Sequence, residues 1–499
     1  MFLILKFNYR QYMSKTSNII SHLKKGETMN TTNAEALSQD QAYQAIVEKL
    51  ENIIATDMVW DNVVSLSGPA GTGKTYLTTM LVKKLSEKYS ITMTAPTHKA
   101  LQVLRANLRS EELIKVQAKT LQSFLNIRLS RDYNNGTQKF QPLQSNGADA
   151  SKTDILIIDE SSMVSEELYE FVLRAIETFR AKAVLFVGDE YQLLPVDNKN
   201  NKAFDITSRY KLEKIVRQAQ GSYIITMASE ARDIIKSQKY TSVKEFLSDP
   251  AFSQEIQYFQ DKKAFYDDFC TPQTWAKKDK VIASFSNKSV DYHNRIIRNR
   301  YWSDNGVAHP EVLLAGDKVI FQEANTINDR IVHQNSDIAT LSSAKKSFHK
   351  SLDIYYWDCL DLDHKPFKVV DPSSKERFEA VLNKIAKSAK FEKDKAERSK
   401  KWKTFFAVKE LFVDVKYTYA STIHKLQGST YETVYIDLRD LENIKDKDLM
   451  YRLLYVAVTR ASTNIKVLLS NGIDSSLVQY QDNVLNSLDS QLASLGFEL

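Results

Sequence analysis

One stretch restricts the possible folds of this chain more than any other. The apolar run Val63-Val64-Ser65-Leu66-Ser67 leads directly into Gly68-Pro69-Ala70-Gly71-Thr72-Gly73-Lys74-Thr75, and helix-period residues follow from 76 to 88. Strand, G-x-x-x-x-G-K-T loop and helix in that order form a phosphate cradle. The glycines let backbone N–H groups curl around phosphate oxygens, and the start of the helix adds its positive dipole end. In such a cradle Lys74 reaches the β and γ phosphates of ATP, and the Thr75 hydroxyl ligates Mg²⁺. The nucleotide-binding set is therefore Gly68, Pro69, Ala70, Gly71, Thr72, Gly73, Lys74 and Thr75.

A phosphate loop of this kind sits at the end of a parallel sheet, and the rest of the chain supplies the strands. Short apolar runs at 63–67, 91–95, 155–158, 184–187, 281–284 and 434–436 alternate with helix-period stretches. Runs of that length, buried on both faces, indicate parallel α/β sheets. The run at 155–158 ends in Asp159-Glu160, the carboxylate pair that ATP hydrolysis requires. Asp159 would hold Mg²⁺ through water, and Glu160 would act as base for the attacking water. A third run ends at Gly188, and Gln192 beyond it could touch the γ-phosphate or that water.

The chain has 499 residues, room for about three domains. Its 13 glycines exclude collagen-like and Gly-rich linker classes, and 43% hydrophobic content excludes a wholly disordered chain. Cys270 and Cys359 stand alone, outside any C-x-x-C pair, and read as inert thiols of a reducing compartment. With no apolar stretch of signal-peptide or membrane-spanning length, a soluble cytoplasmic protein with no membrane partner is expected. Residues 1–36 are polar in their later part and are expected to form a flexible tail. Asn134-Asn135-Gly136 between two short strand-like runs predicts a β-hairpin within 126–150. The region 301–371 also reads as β-structure.

The net charge of +6 is unevenly spread. Residues 375–409 hold twelve Lys/Arg and five Asp/Glu, so the remainder of the chain is nearly neutral. Phe378, Val381, Leu382 and Ile385 fall at helical spacing within this segment, which therefore reads as one or two amphipathic helices. Its charge alone fits a solvated face or a nucleic-acid contact equally well.

Taken in order, the motifs resemble those of superfamily 1 helicases of the 5′ to 3′, RecD-like branch, and in particular the phage Dda-type enzymes. Leu37-Ser38-Gln39-Asp40-Gln41 is similar to the Q motif, implying that Gln41 reads the adenine. Thr94-Ala95-Pro96-Thr97-His98-Lys99-Ala100 and Thr120-Leu121-Gln122-Ser123-Phe124 resemble the strand-contacting motifs Ia and Ib, with Gln122 where relatives commonly carry His. The blocks around Arg217, Thr422-Ile423-His424-Lys425 and Tyr455 to Ala461 resemble motifs IV, V and VI. The resemblance makes Arg217 and Arg460 arginine fingers reaching the ATP from a second motor domain. It assigns DNA contact to Pro96, Thr97, His98, Thr120, Ser123, Thr422, His424 and Lys425, and it places a duplex-splitting pin at the hairpin with Phe140 as its wedge. Packing of Phe140 into its own domain is the alternative.

The architecture so implied is α/β, with two RecA-like parallel-sheet P-loop motor domains. Domain 1 spans 37–215 with the pin inserted, and domain 2 comprises 216–300 and 410–499. Between them, 301–409 forms an SH3-like β insertion plus the basic helical segment, which would either lie beside DNA or prop the pin. The implied activity is that of an ATP- and Mg²⁺-dependent helicase, active as a monomer on single-stranded and forked duplex DNA, with single-strand-binding or replisome proteins as further partners. If a phage encodes it, the host cytoplasm is its compartment. An RNA-acting motor, a P-loop kinase and a non-motor DNA-binding ATPase are the competing classes.

Overall fold

The computed structural model describes residues 36–56, 61–142, 152–195, 201–214, 222–247, 249, 251–252, 255–271, 279–327 and 330–469. The expected tail lies outside these residues except for Ala36, which begins a strand paired in parallel with Ser208–Leu212. Among the described residues no helix is long and apolar enough to cross a membrane.

The first domain is built on seven parallel strands. In sheet order they are Ala36–Leu37, Ser208–Leu212, Val63–Ser67, Ala181–Gly188, Thr153–Ile158, Ile91–Ala95 and Gln117–Thr120. Alternate side chains of the central strands enter two separate cores, as the period-2 geometry of a strand requires. Ile155, Ile157, Leu185 and Val187 pack with Ile46 and Leu50 of the helix Gln39–Thr56 and with Leu77 and Leu81 of Lys74–Leu85. Leu156, Ile158, Val184 and Phe186 pack on the opposite face with Phe124, Leu168 and Val172. Burial on both sides explains why these strands are apolar without alternation.

The second domain has five parallel strands in the order Gln257–Phe259, Ala461–Leu468, Tyr431–Asp437, Lys280–Ser284 and Ala420–Thr422. Its core is threaded by the helix Lys447–Thr459, in which Tyr451 and every residue from Leu453 to Val458 is buried. A helix buried over most of its surface must be covered from several sides. Tyr191 and Leu193 of the first domain supply part of that cover, so the two cores meet across the domain boundary.

Between the helix Asn287–Asp304 and the strand Ala420–Thr422, the chain leaves domain 2 to form an antiparallel sheet. Its order is Pro366–Val370, Ile354–Asp361, Ile338–His349, Lys318–Phe321 and Val415–Tyr417. The last strand lies beyond the boundary expected at 409. It pairs with Lys318–Phe321, and Val413, Val415 and Tyr417 pack around the unit's core, so residues 410–417 belong to the insertion. The joint with domain 2 is a buried ion pair. Asp317 accepts two hydrogen bonds from Arg298, at 2.8 and 2.7 Å, and one each from the Trp302 indole and the Leu314 amide. Asp317→Ala would leave the Arg298 guanidinium buried without its partner. A loss of about 3 to 5 kcal/mol is expected in denaturant unfolding of the unit, and a loss under about 1 kcal/mol would show that the pair is solvated.

The basic segment forms two helices, Lys375–Lys390 and Lys395–Lys409. They extend to the hairpin Ile127–Asp132 and Thr137–Pro142 of domain 1, whose turn is residues 133–136. Gly136 adopts φ +69°, and a Cβ there would lie 2.3 Å from the Trp402 ring. Only glycine satisfies both the turn and the ring. Tyr133 meets Phe406 edge-on at 5.9 Å, Arg131 pairs with Glu410, and Lys403 stands over the Tyr133 ring. Lys401 pairs with Glu392 at 2.6 Å. Several of the segment's aromatic and basic groups therefore serve to hold the hairpin. Phe140 departs from the wedge expectation: its partly buried side chain packs against the second core cluster of domain 1. Hairpin alternation turns that position toward the sheet.

Candidate active site and nucleic-acid interface

The phosphate loop follows the strand Val63–Ser67 at its C-terminal end. Gly71 and Gly73 have φ near +80°, and Gly73 directly precedes the helix Lys74–Leu85. The Lys74 ammonium donates to the carbonyls of Gly68 and Pro69, at 2.5 and 2.9 Å. The buried Thr72 hydroxyl donates to Pro69 O at 2.9 Å, and Thr75 is exposed in the first turn of the helix.

Ser38 and Gln41 form a reciprocal cap at the start of the helix Gln39–Thr56. The Ser38 amide donates to Gln41 Oε1 at 2.9 Å, and the Gln41 amide donates to Ser38 Oγ at 3.2 Å. The neighbouring Gln39 reaches the phosphate loop instead, donating from Nε2 to Thr72 O at 2.8 Å. The S-x-x-Q spacing was a readable sign of the cap, whereas nothing in the sequence distinguished Gln39.

Asp159 and Glu160 follow the strand Thr153–Ile158, whose neighbour Ile91–Ala95 fixes them through Asp159 N donating to Thr94 O at 2.8 Å. Burial, reinforced by the adjacent Glu160 charge, pushes the Asp159 carboxyl up to about 7, against the opposing pull of the Glu160 amide and Lys74. Glu160 itself sits in the left-handed region at φ +50°. Backbone strain of that kind is kept where the surroundings over-determine it. Gln192 is 6% exposed, and its Oε1 has no hydrogen-bond partner among the described residues.

Domain 2 closes the site from the other side. A Cβ on Gly428 would stand 3.9 Å from Glu160 Oε1 and 3.5 Å from Ala100 Cβ. Arg460 is buried and donates to Ser429 O, Val456 O and Thr459 Oγ1. Lys99 of domain 1 donates to Tyr431 Oη at 3.2 Å, and burial together with the Arg460 charge pulls its ammonium down to about 8. Gln427, also 6% exposed, has no hydrogen-bond partner for its Nε2 among the described residues. Lys99 and Gln427 lie inside the recognised motifs, but sequence reasoning gave them no role, because only the fold brings the two motifs together. Arg217 lies outside the described residues.

The residues assigned to DNA follow strand ends in both domains. Thr97 and Thr120 cap the helices His98–Ser110 and Leu121–Leu125, accepting from Ala100 N and Ser123 N, both at 3.2 Å. Gln122 donates to Pro96 O at 3.2 Å and so ties motifs Ia and Ib together. Ser123 is exposed, and Thr422 is buried at the start of the short helix Ile423–Leu426. Burial holds the His98 imidazole below its usual value, with the Asp337 carboxylate of the insertion opposing it. His424 is likewise held down by burial and lies 6.3 Å from the Phe285 ring, and Lys425 bonds Gln322 of the insertion. Motifs Ia and V thus both border the inserted unit. Phe140 is not part of this group.

A phosphate loop, a carboxylate pair two strands over and a buried arginine from a second parallel-sheet domain define a two-domain P-loop motor ATPase. Residues 37–240 match the AAA domain family, and residues 417–467 match the UvrD-like helicase C-terminal domain. The chain is 27% identical over 439 residues to the ATP-dependent DNA helicase dda of Enterobacteria phage T4, covering 81% of this chain and 93% of that protein. It is 23% identical over 467 residues to an uncharacterized protein of Acanthamoeba polyphaga mimivirus, covering 80% and 94%. Among solved structures, the Pif1 helicase from Candida albicans aligns with 91% of this chain and 100% of its own, at 16% identity and a TM-score of 0.43. Over four fifths of its length the chain is thus similar to an ATP-dependent DNA helicase.

Proposed function

We propose that the protein is an ATP-dependent DNA helicase that moves 5′ to 3′ along single-stranded DNA and separates the duplex ahead of it. The observation that carries this reading is the division of the nucleotide site between two domains. Lys74, Asp159, Glu160 and Gln192 come from one, while Arg460 and Gln427 come from the other. A site divided in this way is complete only when the domains close, so hydrolysis and domain movement are coupled.

In this reading the phosphate loop and Lys74 hold the β and γ phosphates, Glu160 takes the proton of the attacking water, and Arg460 meets the charge that develops on the transferred group. Thr75 and Asp159 offer hard oxygen donors suited to Mg²⁺, and Glu160 beside Asp159 gives the site a second carboxylate. Bound Mg²⁺ supplies charge neutralisation at the phosphate oxygens. Arg217 is proposed as the second finger, and Gln41 as the adenine contact. Pro96, Thr97, His98, Thr120, Ser123, Thr422, His424 and Lys425 are proposed to follow the DNA backbone, with the hairpin 127–142 at the fork and the insertion acting as an SH3-like unit. Contacts of that kind are sequence-tolerant. The enzyme is proposed to work as a monomer in the cytoplasm, with single-strand-binding or replisome proteins as partners.

The direction rests on the resemblance of the motif series to the RecD-like branch. Strand displacement on duplexes with a 5′ or a 3′ single-stranded tail tests it. Displacement with ATP is expected on the 5′-tailed duplex only. Displacement only on the 3′ tail would reverse the polarity, none on either would favour a non-motor ATPase, and activity on RNA tails alone would make it an RNA motor.

A further inference from the structure

The hydroxyl of Tyr455 lies between two parts of the other domain. The residue is fully buried in the helix Lys447–Thr459 of domain 2. Its oxygen donates to Asp189 Oδ2 at 2.5 Å and accepts from the Ala70 amide of the phosphate loop at 3.2 Å. Asp189 is itself 1% exposed, and its other oxygen accepts from the Tyr191 amide at 3.0 Å. One turn earlier, Arg452 donates to the carbonyls of Glu190 and Gln192, at 2.8 and 3.0 Å, and is held by Asp448 at 2.6 Å. Residues 448, 452 and 455 share one helix face, and that face grips the loop 189–192.

The Ala70 amide has two competing acceptors. It belongs to the loop whose N–H groups cradle phosphate, and it directly follows Gly68 and Pro69, whose carbonyls hold the Lys74 ammonium. That ammonium serves the β and γ phosphates, which sets the neighbouring Ala70 amide toward that end of a bound nucleotide and away from its α-phosphate. An N–H directed at a phosphate oxygen cannot also serve the Tyr455 oxygen with good geometry.

We propose that Tyr455 is a positioning residue that exchanges the Ala70 amide with the γ-phosphate, so that arrival of ATP, but not ADP, releases the phosphate loop from the helix of domain 2. Asp189 keeps the phenol in place during the exchange and makes its oxygen a stronger acceptor. The tie gives the γ-phosphate a direct effect on domain 2 in addition to that of Arg460. The proposal rests on the ATPase reading above, and binding of ATP by the unaltered protein tests that reading separately.

The test is equilibrium binding of a non-hydrolysable ATP analogue and of ADP to the full-length protein. Tyr455→Phe keeps the packed ring and frees the amide. The analogue should bind about three- to tenfold more tightly, the range for one released hydrogen bond, with ADP affinity unchanged. Loss of a merely structural contact would weaken both ligands or neither. Asp189→Asn, which leaves a neutral acceptor for the phenol, should shift analogue binding the same way by about twofold. It carries the test if the first variant does not fold. Unchanged or weaker analogue binding in a folded variant, or equal tightening for ADP, overturns the proposal. If the unaltered protein binds no ATP, the ATPase reading fails instead.

Discussion

Glu160→Gln should abolish ATP turnover while leaving ATP bound. Removal of a positioned general base costs about 10²- to 10⁴-fold in rate, and glutamine retains the size of the side chain while losing its ability to take a proton. Binding should survive, because the phosphate contacts belong to the loop 68–75 and Lys74, which the substitution does not touch. The change also removes the Glu160 charge that adds to burial in pushing the Asp159 carboxyl up, so that carboxyl moves part of the way back toward its ordinary range. Phosphate release and nucleotide binding measured on the same preparation check both parts. Hydrolysis within about tenfold of the parent would transfer the role of base to another group.

The second large effect is expected from Trp402→Ala, far from the nucleotide. The Trp402 ring lies on Gly136 and shares a small cluster with Ala389 and Phe406, with Tyr133 and Phe405 packed against it. Truncating an indole in such a cluster costs about 3 to 5 kcal/mol, more than a unit with only three buried side chains can readily lose. The hairpin tip would lose its backing. Strand displacement should therefore fall in far greater proportion than the ATP hydrolysis stimulated by single-stranded DNA, because motifs I to VI remain in place. Equal losses in the two assays would show that the hairpin acts only as part of the fold of domain 1. Phe140→Ala makes a useful contrast, since its packing against the core predicts a stability loss and no selective effect on displacement.

The contrast between these residues shows what the sequence could carry. Strands 63–67 and 91–95 were legible to the residue, because each is a short run of apolar residues interrupted only by small Ser or Thr and set between stretches of different pattern. The phosphate loop and the carboxylate pair were legible because their chemistry depends on local spacing. Phe140 was ambiguous because alternation tells which residues share a face but not what covers it. The basic segment could be counted but not interpreted, since the partners of Lys401, Lys403 and Trp402 depend on a helical turn-back and on a hairpin more than two hundred residues earlier. Tyr455 shows the limit most clearly: its partner Ala70 is 385 residues away, and no periodicity reports on such a contact. The strand Val415–Tyr417 was misassigned for a similar reason, because a three-residue strand is recognisable only from its partner.

The insertion is fastened to domain 2 at both of its ends. Arg298 and Asp317 close one end, and Lys416 closes the other by pairing with Asp291 at 2.8 Å, beside Asn294, which holds Ala420 where the chain re-enters domain 2. Domain 2 and the insertion therefore form one lever, with domain 1 as the other. The two levers touch at widely different points of the chain: around Tyr455, Arg452 and Lys99 at the nucleotide, and around Trp402 and Glu410 at the hairpin. A pair of bodies joined at two places is a closed linkage and cannot simply open like a jaw. Its permitted motion is a rotation about the line through both joints, which leaves both in place, or a slip at one of them, so a displacement begun at the phosphate is either taken up there or passed on to the hairpin.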